Sequence, residues 1–347
     1  MVTIDGSYGE GGGQVLRTSL ALAAITGQPL HLDNIRAARK KPGLQAQHLT
    51  CVRAAAAICG AQVQGDVLGS QSLEFRPAHL PQAGEYTLDV TEARGSGSAG
   101  ATALVLQTVL VPLTMASGES RLTIRGGTHV PFSPPFSYLQ HVYLPALWRM
   151  GIKAQVELKR YGWYPAGGGE IAVRIQATRQ LLPVMLVERG ELRKVWGTAA
   201  VSNLPSHIAQ RMANRAVNVL KDAGIKSHVE AAHVEATGPG TGIFLFAEYE
   251  HSVAGFTAYG RKGLPSERVA ESACHDFSAH HRRDAAADLH LADQLVLPAA
   301  FAAGASHWTT CRVSRHLTTN AWVVRQFLQV PISITGDEGE PGAIRVG

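Results

Sequence analysis

Leu30-His-Leu-Asp-Asn-Ile-Arg36 alternates apolar and polar residues and ends in arginine, and two later stretches of the chain repeat this form. They are Arg121-Leu-Thr-Ile-Arg125 and His307-Trp-Thr-Thr-Cys-Arg312. Alternation and β-branched residues favour extended structure, so each stretch is predicted to be a strand. The same order of elements surrounds each strand: a glycine-rich or polar lead, an apolar helix, the strand, a loop, a second helix and a closing strand. A repeated order of this kind indicates duplicated structural units.

The second helices and closing strands fall at matching places in the three units. Apolar residues at three- and four-residue spacing predict helices over residues 44–58, 136–150 and 317–328. Closing strands are predicted over residues 61–67, 152–158 and 330–334. Gln107 and Gln294 each stand 18 residues before the arginine of their unit, so equivalent helices are expected to present equivalent side chains to a shared cleft. A coincidental run of helices and strands is the alternative.

The third unit is longer than the others. Arg36 and Arg125 are 89 residues apart, whereas Arg125 and Arg312 are 187 apart. We therefore predict an α/β (α+β) fold whose large domain comprises residues 1–184 and 279–347, with a smaller α/β domain inserted at residues 185–278. Within the insert, residues 205–223 read as a helix capped by Ser206 and residues 242–250 as a strand.

Composition narrows the class of protein. The 347 residues are 45% hydrophobic and 17% charged, which excludes a largely disordered chain. A net charge of +5 suits a polyanionic partner without requiring one. The four cysteines form no C-x-x-C pair, which favours buried thiols in a reducing compartment. With no signal segment and no long apolar run, we expect a cytoplasmic protein without a membrane partner.

The glycine-rich segment Gly9-Glu-Gly-Gly-Gly-Gln14 opens the apolar helix that begins near Val15. Free backbone N–H groups at such a place can bind an anion. The segment has neither the last glycine of a dinucleotide fingerprint nor the Gly-Lys-Ser/Thr of a P-loop, so a ligand-free turn is the alternative. Glu10 would repel a phosphate unless Mg²⁺ or Mn²⁺ lay between them.

The loops that follow the three arginines contain nitrogen side chains at one equivalent position. The fourth residue after the arginine is Lys40, His129 or His316, which suggests that the three loops converge on one site. Neutral imidazole is a competent nucleophile toward phosphorus, and we choose His316 for that role. With 15 histidines in the chain, an ordinary polar histidine is the alternative.

For the other polar segments, helix capping or packing is the alternative to a binding role. Glu92-Ala-Arg-Gly-Ser-Gly-Ser-Ala-Gly100 and Leu289-His-Leu-Ala-Asp-Gln294 lead into or begin helices whose amides and carboxylate could bind a nucleotide or metal. Trp163-Tyr-Pro-Ala-Gly-Gly-Gly169 is read as a packed hairpin rather than a base-binding surface. The histidines and arginines between His275 and Arg283 match no zinc spacing and are read as a solvated helix end.

Together these motifs resemble the RNA 3'-terminal phosphate cyclase family, and the resemblance covers nearly the whole chain. The matching segments are Gly9-Glu-Gly-Gly-Gly-Gln14, Arg36-x-x-Arg39-x-Lys41-Pro-Gly-Leu44, Gly-Ser-Ala-Gly100 with Gln107, Tyr164-Pro-Ala-Gly-Gly-Gly169, Leu291-Ala-Asp-Gln-Leu295 and His316-Leu-x-Thr-Asn320. The resemblance implies three α/β repeats like those of the C-terminal domain of translation initiation factor 3, interrupted by an insert.

The resemblance also implies an ATP-dependent reaction. A histidine takes AMP from ATP and passes it to an RNA 3'-phosphate, which then closes to a 2',3'-cyclic phosphate. His316 is implied as the adenylylated residue and Glu10 as a ligand of a divalent metal (Mg²⁺ or Mn²⁺). The implied nucleotide contacts are Gln14, Gln107, Pro131, His290, Leu291, Ala292, Asp293 and Gln294, and the implied RNA-phosphate contacts are Arg36, Arg39, Lys41, Gln47 and His48. RNA with a 3'-phosphate end is the implied partner, and a homodimer is carried as a hypothesis.

The chain departs from the family pattern at two places. His290 stands where an aromatic tyrosine is expected, and Thr128-His129-Val130 replaces a Thr-Asp-Asn form. Arg315, beside the nucleophile, is predicted to lower the imidazole pKa. A non-catalytic cyclase-like protein of ribosome assembly, an enolpyruvyl transferase and an RNA-binding module are the rival functions.

Overall fold

The first unit of the fold is a four-stranded mixed sheet covered by two helices. The structure is a computed structural model, and it describes residues 1–92 and 98–347. The elements of this unit are β1 (Val2–Asp5), α1 (Gly13–Thr26), β2 (Leu30–Asp33), α2 (Ala46–Cys59), β3 (Gln62–Gln64) and β4 (Leu73–Arg76). Spatially the strands lie in the order β1-β2-β4-β3.

The second unit repeats this arrangement, with a π-helical turn inside its second helix. Its elements are β5 (Glu85–Asp89), α3 (Thr102–Thr114), β6 (Ser120–Gly126), α4 (Phe136–Tyr138), a π-helix (Leu139–Tyr143), α5 (Leu144–Arg149), β7 (Ala154–Arg160) and β8 (Gly169–Ile175). The strand order is β5-β6-β8-β7. The helix predicted over residues 136–150 is confirmed as one continuous helical run, and it contains a π-helical turn just before Pro145, which has no N–H to donate to the preceding turn.

The chain then enters a separately packed group of elements. After β9 (Met185–Leu186) it forms β10 (Leu192–Ser202), α6 (His207–Asp222), β11 (Ser227–His233), β12 (Gly240–Tyr249), β13 (Val253–Tyr259) and α7 (Ser266–His281). The sheet order is β11-β10-β12-β13. One face of this sheet and the two helices enclose a second hydrophobic core, from Val195 to Phe277. Ser206 precedes α6, but its side chain makes no capping hydrogen bond, contrary to the prediction.

The last unit returns to the pattern of the first two. Its elements are α8 (Leu289–Gln294), α9 (Val296–Ala299), β14 (Ser306–Thr310), α10 (Arg315–Phe327), β15 (Ile332–Thr335) and β16 (Gly342–Val346), and β9 completes the sheet in the order β15-β16-β14-β9. In all three sheets the leading strand is parallel to the next, and the final strand lies antiparallel between the second and third. The mixed α/β class is confirmed, whereas the likeness to initiation factor 3 and the boundaries of the insert stay predictions.

α1 is the central helix of the large core. It packs against α2, α3 and α10, so nearly all its faces are buried. Its alanine, leucine, serine and threonine side chains allow that close approach on every side. The N-terminus of α1, at Gly12 and Gly13, therefore opens among the three units rather than on the surface.

Two further expectations concern the interior and the surface. All four cysteines are buried and unbridged, as predicted. Within the described chain no helix combines the length and apolar character needed to cross a bilayer.

Candidate active site

A cavity of about 1160 Å³ opens where the three units and the inserted elements meet. The N-terminus of α1 contributes Gly12, Gly13 and Gln14, and α10 contributes His316 and Asn320. Side chains from α3, α7, α8 and the loops after β2 and β6 complete the wall. Gln107 and Gln294 both line it, so the equivalent helices do present equivalent side chains to one cleft.

His316 lies in the first turn of α10. Ser314 caps that helix by accepting the backbone N–H of Leu317 at 3.1 Å. The imidazole is 50% exposed in the cavity, and its Nδ1 lies 2.5 Å from Oε1 of Gln14. The nucleophile proposed from the sequence is thus exposed to a ligand and held on one side by the glycine-rich segment.

The partner of Gln14 fixes the protonation of His316. Nε2 of Gln14 donates a hydrogen bond to Oδ2 of Asp293 at 2.8 Å, which turns the amide oxygen toward His316. An amide oxygen can only accept, so Nδ1 must carry the hydrogen of the neutral ring. The lone pair is then on Nε2.

The surroundings keep the imidazole neutral. Burial lowers the pKa of His316 to about 4, and the charges of Arg17, His290 and Arg39 act in the same direction. His316 also lies at the N-terminus of α10, where the positive end of the helix dipole disfavours an imidazolium. The pKa is lowered as predicted, but Arg315, which was expected to lower it, pairs with Glu338 at 3.1 Å and is not among these charges.

A buried hydrogen-bond chain joins three helices behind the nucleophile. Thr18 on α1 donates to Oδ1 of Asn320 at 2.7 Å, and Nδ2 of Asn320 donates to the backbone oxygen of Asp293, also at 2.7 Å. Asn320 is therefore more than a polar residue at a helix start. It holds α8 and α10 in register with α1.

Glu10 lies near the same ring nitrogen of His316. Its backbone N–H donates to Oγ1 of Thr319 at 3.0 Å, and one carboxylate oxygen pairs with Arg39. The second oxygen, Oε2, is buried without a hydrogen-bond partner among the described residues and lies 4.0 Å from Nδ1 of His316. Gly9 must be glycine here, because a Cβ would collide with Thr319 and its φ of 60° is left-handed.

The residues implied for the RNA phosphate are mostly brought together. Arg36, Arg39, Gln47 and His48 line the cavity, whereas Lys41 is exposed and does not. The Arg36 guanidinium donates to the backbone oxygens of Lys41 and Gly43, so it also holds its own loop. Burial lowers the pKa of His48 to about 3, so this ring is neutral.

The residues implied for the nucleotide divide into two groups. Gln14, Gln107, Pro131, His290, Asp293 and Gln294 line the cavity. Leu291 and Ala292 are buried in the core and do not line it. Nε2 of Gln107 and Oε1 of Gln294 are buried without hydrogen-bond partners in the described chain, as expected of groups that await a polar ligand.

The three equivalent loop positions do not converge. Lys40 is exposed outside the cavity, and His129 is buried against Tyr161 with ring centroids 4.5 Å apart. Of these positions in the described structure, His316 alone lines the cleft. The three loops therefore converge on the cavity as predicted, but not through these equivalent positions, because the β6 loop turns its histidine into the packed hairpin that holds Trp163, whose ring is buried.

The prediction that the segment from His275 to Arg283 is a solvated helix end is correct only in part. His275 is exposed, but His280 is 2% exposed and borders the cavity, so this helix end is not simply solvated. In the glycine-rich segment Glu92–Gly100, residues 93–97 lie outside the described residues.

Sequence reasoning missed two polar side chains. Arg17 is half-buried in the cavity wall, one helical turn after Gln14. Asp288 accepts hydrogen bonds from the hydroxyl of Tyr138 at 2.7 Å and from the backbone N–H groups of His290 and Gly255. It thus joins the second unit, α8 and β13. The i, i+3 spacing from Gln14 could have indicated Arg17, whereas the partners of Asp288 are distant in sequence.

Comparison with known proteins gives a single family. The chain matches the family described as RNA 3'-terminal phosphate cyclase over residues 8–334. It is 58% identical to the RNA 3'-terminal phosphate cyclase of Nostoc punctiforme over 94% of both chains. It is 53% identical to that of Methylococcus capsulatus over 100% of this chain and 96% of the relative.

A likeness to one solved structure is much weaker. The enolpyruvyl transferase NikO from Streptomyces tendae aligns with a TM-score of 0.38 at 12% identity, over 99% of this chain and 48% of that one. This likeness carries no weight in assigning a reaction.

Proposed function

Because the chain belongs to the RNA 3'-terminal phosphate cyclase family, we propose that it converts an RNA 3'-phosphate to a 2',3'-cyclic phosphate at the expense of ATP. The observation that carries the proposal is the Asp293–Gln14–His316 chain of hydrogen bonds at the cavity wall. It supplies a neutral imidazole with an oriented, unprotonated Nε2. That is the group that nucleophilic attack on phosphorus requires.

In the first step, Nε2 of His316 attacks the α-phosphorus of ATP. An N–P bond forms, the bond to the β-phosphate oxygen breaks, and pyrophosphate leaves. Nδ1 remains protonated, and its hydrogen bond to Gln14 favours the positive charge that the ring gains. The N–H groups at the start of α1 and the Arg17 guanidinium face the same space and would stabilise the charge of the phosphates.

In the second and third steps, AMP is transferred and expelled. An oxygen of the RNA 3'-phosphate attacks the phosphorus on His316, which releases Nε2 and leaves RNA and AMP joined by a pyrophosphate bond. The neighbouring 2'-hydroxyl loses its proton, attacks the 3'-phosphorus and displaces AMP. A phosphate monoester lacks a good leaving group, so adenylylation makes the ring closure feasible.

Glu10 fits the role of a metal-holding residue. Its Oε2 is buried without a hydrogen-bond partner among the described residues, which is costly unless something binds it. No group of three or more acidic, histidine or cysteine side chains in the described ranges could hold a metal alone. One carboxylate together with substrate phosphates is the usual set for Mg²⁺ or Mn²⁺, which would offset phosphate charge.

Arg36, Arg39, Gln47 and His48 are proposed to receive the RNA phosphate end. They come from the first unit and line the same cavity as α8. Arg39 already pairs with a carboxylate, so an incoming phosphate would exchange one anionic partner for another. We further propose a cytoplasmic location; a homodimer remains a hypothesis.

Incubation with α-labelled ATP and a divalent metal tests the proposal. The wild-type protein should acquire an acid-labile, hydroxylamine-resistant AMP label, and His316→Ala should not. The labelled protein should release the label as AMP when RNA with a 3'-phosphate is added, but not with RNA that ends in a 3'-hydroxyl. Retention of the label in His316→Ala would disprove the nucleophile assignment.

A further inference from the structure

An aromatic pair lies just outside the cavity, in and beside the glycine-rich segment. The ring of Tyr8 stacks on that of Trp322, with centroids 3.9 Å apart and ring planes inclined by 16°. Tyr8 is still 46% exposed, so the face of its ring that points away from Trp322 is open to solvent. Neither residue lines the cavity or has a part in the reaction proposed above. We call this exposed aromatic surface the Tyr8 platform.

The Tyr8 platform is held in place from both sides. The backbone N–H of Tyr8 donates to the oxygen of Asp5 at 3.2 Å, and its own backbone oxygen accepts the N–H of Gly11 at 2.9 Å. Trp322 belongs to α10 and packs against the large hydrophobic core. A ring that is already fixed loses little conformational freedom when a ligand stacks on it, so the platform is preorganised for stacking.

The platform is also close to the proposed reaction centre. Tyr8 is two residues from Glu10, so their Cα atoms are at most about 7 Å apart. Oε2 of Glu10 in turn lies 4.0 Å from Nδ1 of His316. Stacked nucleotides advance about 3.4 Å each along a strand. The second or third nucleotide of an RNA whose 3'-phosphate is in the cavity is therefore within reach of Tyr8.

Three cations of the first unit lie next to the glycine-rich segment. Arg39 donates to the backbone oxygen of Glu10 at 2.9 Å, which brings the loop after β2 against that segment. Lys40 and Lys41 follow in the same loop and are exposed outside the cavity, so they do not reach a phosphate bound within it. Positive charge beside an aromatic face favours a polyanion with stackable rings, and a nucleic acid strand has both properties.

We propose that the Tyr8 platform stacks on the base of the second or third nucleotide from the 3' end of the RNA substrate, and that Lys40 and Lys41 pair with phosphates of the same strand. This inference rests on the proposed function and extends it from the phosphorylated end to the strand behind that end. Stacking tolerates every base. The platform therefore favours a strand over a single phosphorylated nucleotide and does not select a sequence.

Equilibrium binding of a short RNA with a 3'-phosphate tests the stacking contact. Tyr8→Ala should weaken binding about 10-fold, the loss typical of one stacked base, whereas Tyr8→Phe should bind as the wild type does. An abasic nucleotide at the second or third position from the 3' end should weaken binding to the wild type by a similar factor and have no further effect in Tyr8→Ala. Trp148→Ala is the matched control, because Trp148 is an exposed aromatic residue on α5 outside the cavity.

The comparison of intact with abasic RNA separates stacking from a structural role of Tyr8. If Tyr8→Ala lost the same factor with both RNAs, Tyr8 would only shape the glycine-rich segment, and the proposal would be overturned. Unchanged binding of the intact RNA in Tyr8→Ala would overturn it as well. An abasic nucleotide at the 5' end should have little effect on either protein.

The lysines and the proposed function have separate tests. Combined Lys40→Gln and Lys41→Gln should reduce the slope of log affinity against log salt by about 2, and an unchanged slope would remove both lysines from the strand contact. Labelling with ATP in the absence of RNA examines the reaction alone. A wild type that forms no AMP adduct would disprove the proposed function, while the binding of intact and abasic RNA would still decide the role of the Tyr8 platform.

Discussion

The side-chain oxygen of Gln14 lies 2.5 Å from Nδ1 of His316, although the two residues are 302 positions apart in the chain. The first unit therefore orients the proposed nucleophile, which the third unit carries. Gln14→Ala should lower the rate of AMP-adduct formation about 10- to 100-fold, because the ring loses the contact that fixes its tautomer and direction. Rapid-quench labelling at saturating ATP measures this rate. Gln28→Ala, outside the cavity, serves as the control, and an unchanged rate in Gln14→Ala would contradict the orienting role.

Asp293 should determine the acidic limit of adduct formation. Burial raises the pKa of this carboxyl to about 6, whereas the pKa of His316 is about 4. As the pH falls through about 6, Asp293 becomes protonated and holds Gln14 less well, while His316 is still neutral. Asp293→Asn keeps an acceptor for Gln14 but cannot titrate. The rate of adduct formation by this variant at saturating ATP should therefore not decline near pH 6 and should fall only near pH 4. If the rate still declined near pH 6 in this variant, the decline would belong to another titrating group.

The pKa of His316 should depend on Arg17 rather than Arg315. Removal of a nearby cation favours imidazolium, so Arg17→Met should raise the His316 pKa from about 4 toward its ordinary value. Arg315→Met should leave it unchanged, because that guanidinium pairs with Glu338. NMR titration of the imidazole in both variants provides the comparison. Equal shifts in the two would refute this account of the electrostatics.

Replacement of Arg39 should impair the RNA step without impairing the ATP step. Arg39→Ala is expected to form the AMP adduct yet to cyclise RNA 3'-phosphate ends at least about 10-fold more slowly, since a charge-assisted phosphate contact is lost. Single-turnover transfer from preformed adduct to labelled RNA measures the effect. Arg53→Ala, exposed on α2 outside the cavity, is the matched control. If adduct formation fell as much as transfer, Arg39 would belong to the ATP site.

His129 should make folding stability sensitive to acid. Burial lowers the pKa of its imidazole to about 3, so as the pH falls below about 6.5 the unfolded chain takes up a proton before the folded one. At pH 5 this linkage costs about 2 kcal/mol of unfolding free energy. His129→Gln should therefore lose less stability between pH 7 and pH 5, measured by urea denaturation. The exposed His207→Gln should behave as the wild type.

Local pattern predicted much of the fold. The middle strands and second helices follow from alternation and helical spacing, and the equal registers of Gln107 and Gln294 placed both in the cleft. The final strands β4, β8 and β16 were missed, although each pairs antiparallel with the strand just before it in the sequence. The predicted strand to Arg36 ends at Asp33, since Asn34 and Arg36 adopt left-handed φ values of 52° and 55°.

The site was predicted less completely than the fold. Motif order led to His316, but Asp288 acts through partners in other units, which a single sequence does not reveal. His129 shows the converse error. Its sequence position is equivalent to that of His316, yet the glycine-rich hairpin covers it and removes it from the cleft.

The pairing of β9 with β14 sets an order in which the molecule can be completed. Met185 and Leu186 pair with His307 and Trp308, so this strand pair must wait for more than 100 further residues to be synthesised. The second core needs only residues between Val195 and Phe277 and can collapse while the chain is still emerging from the ribosome. Since α10 follows β14, His316 can reach Gln14 only after the residues of that core have been synthesised. The proposed adenylylation site is therefore among the last parts of the molecule to be completed.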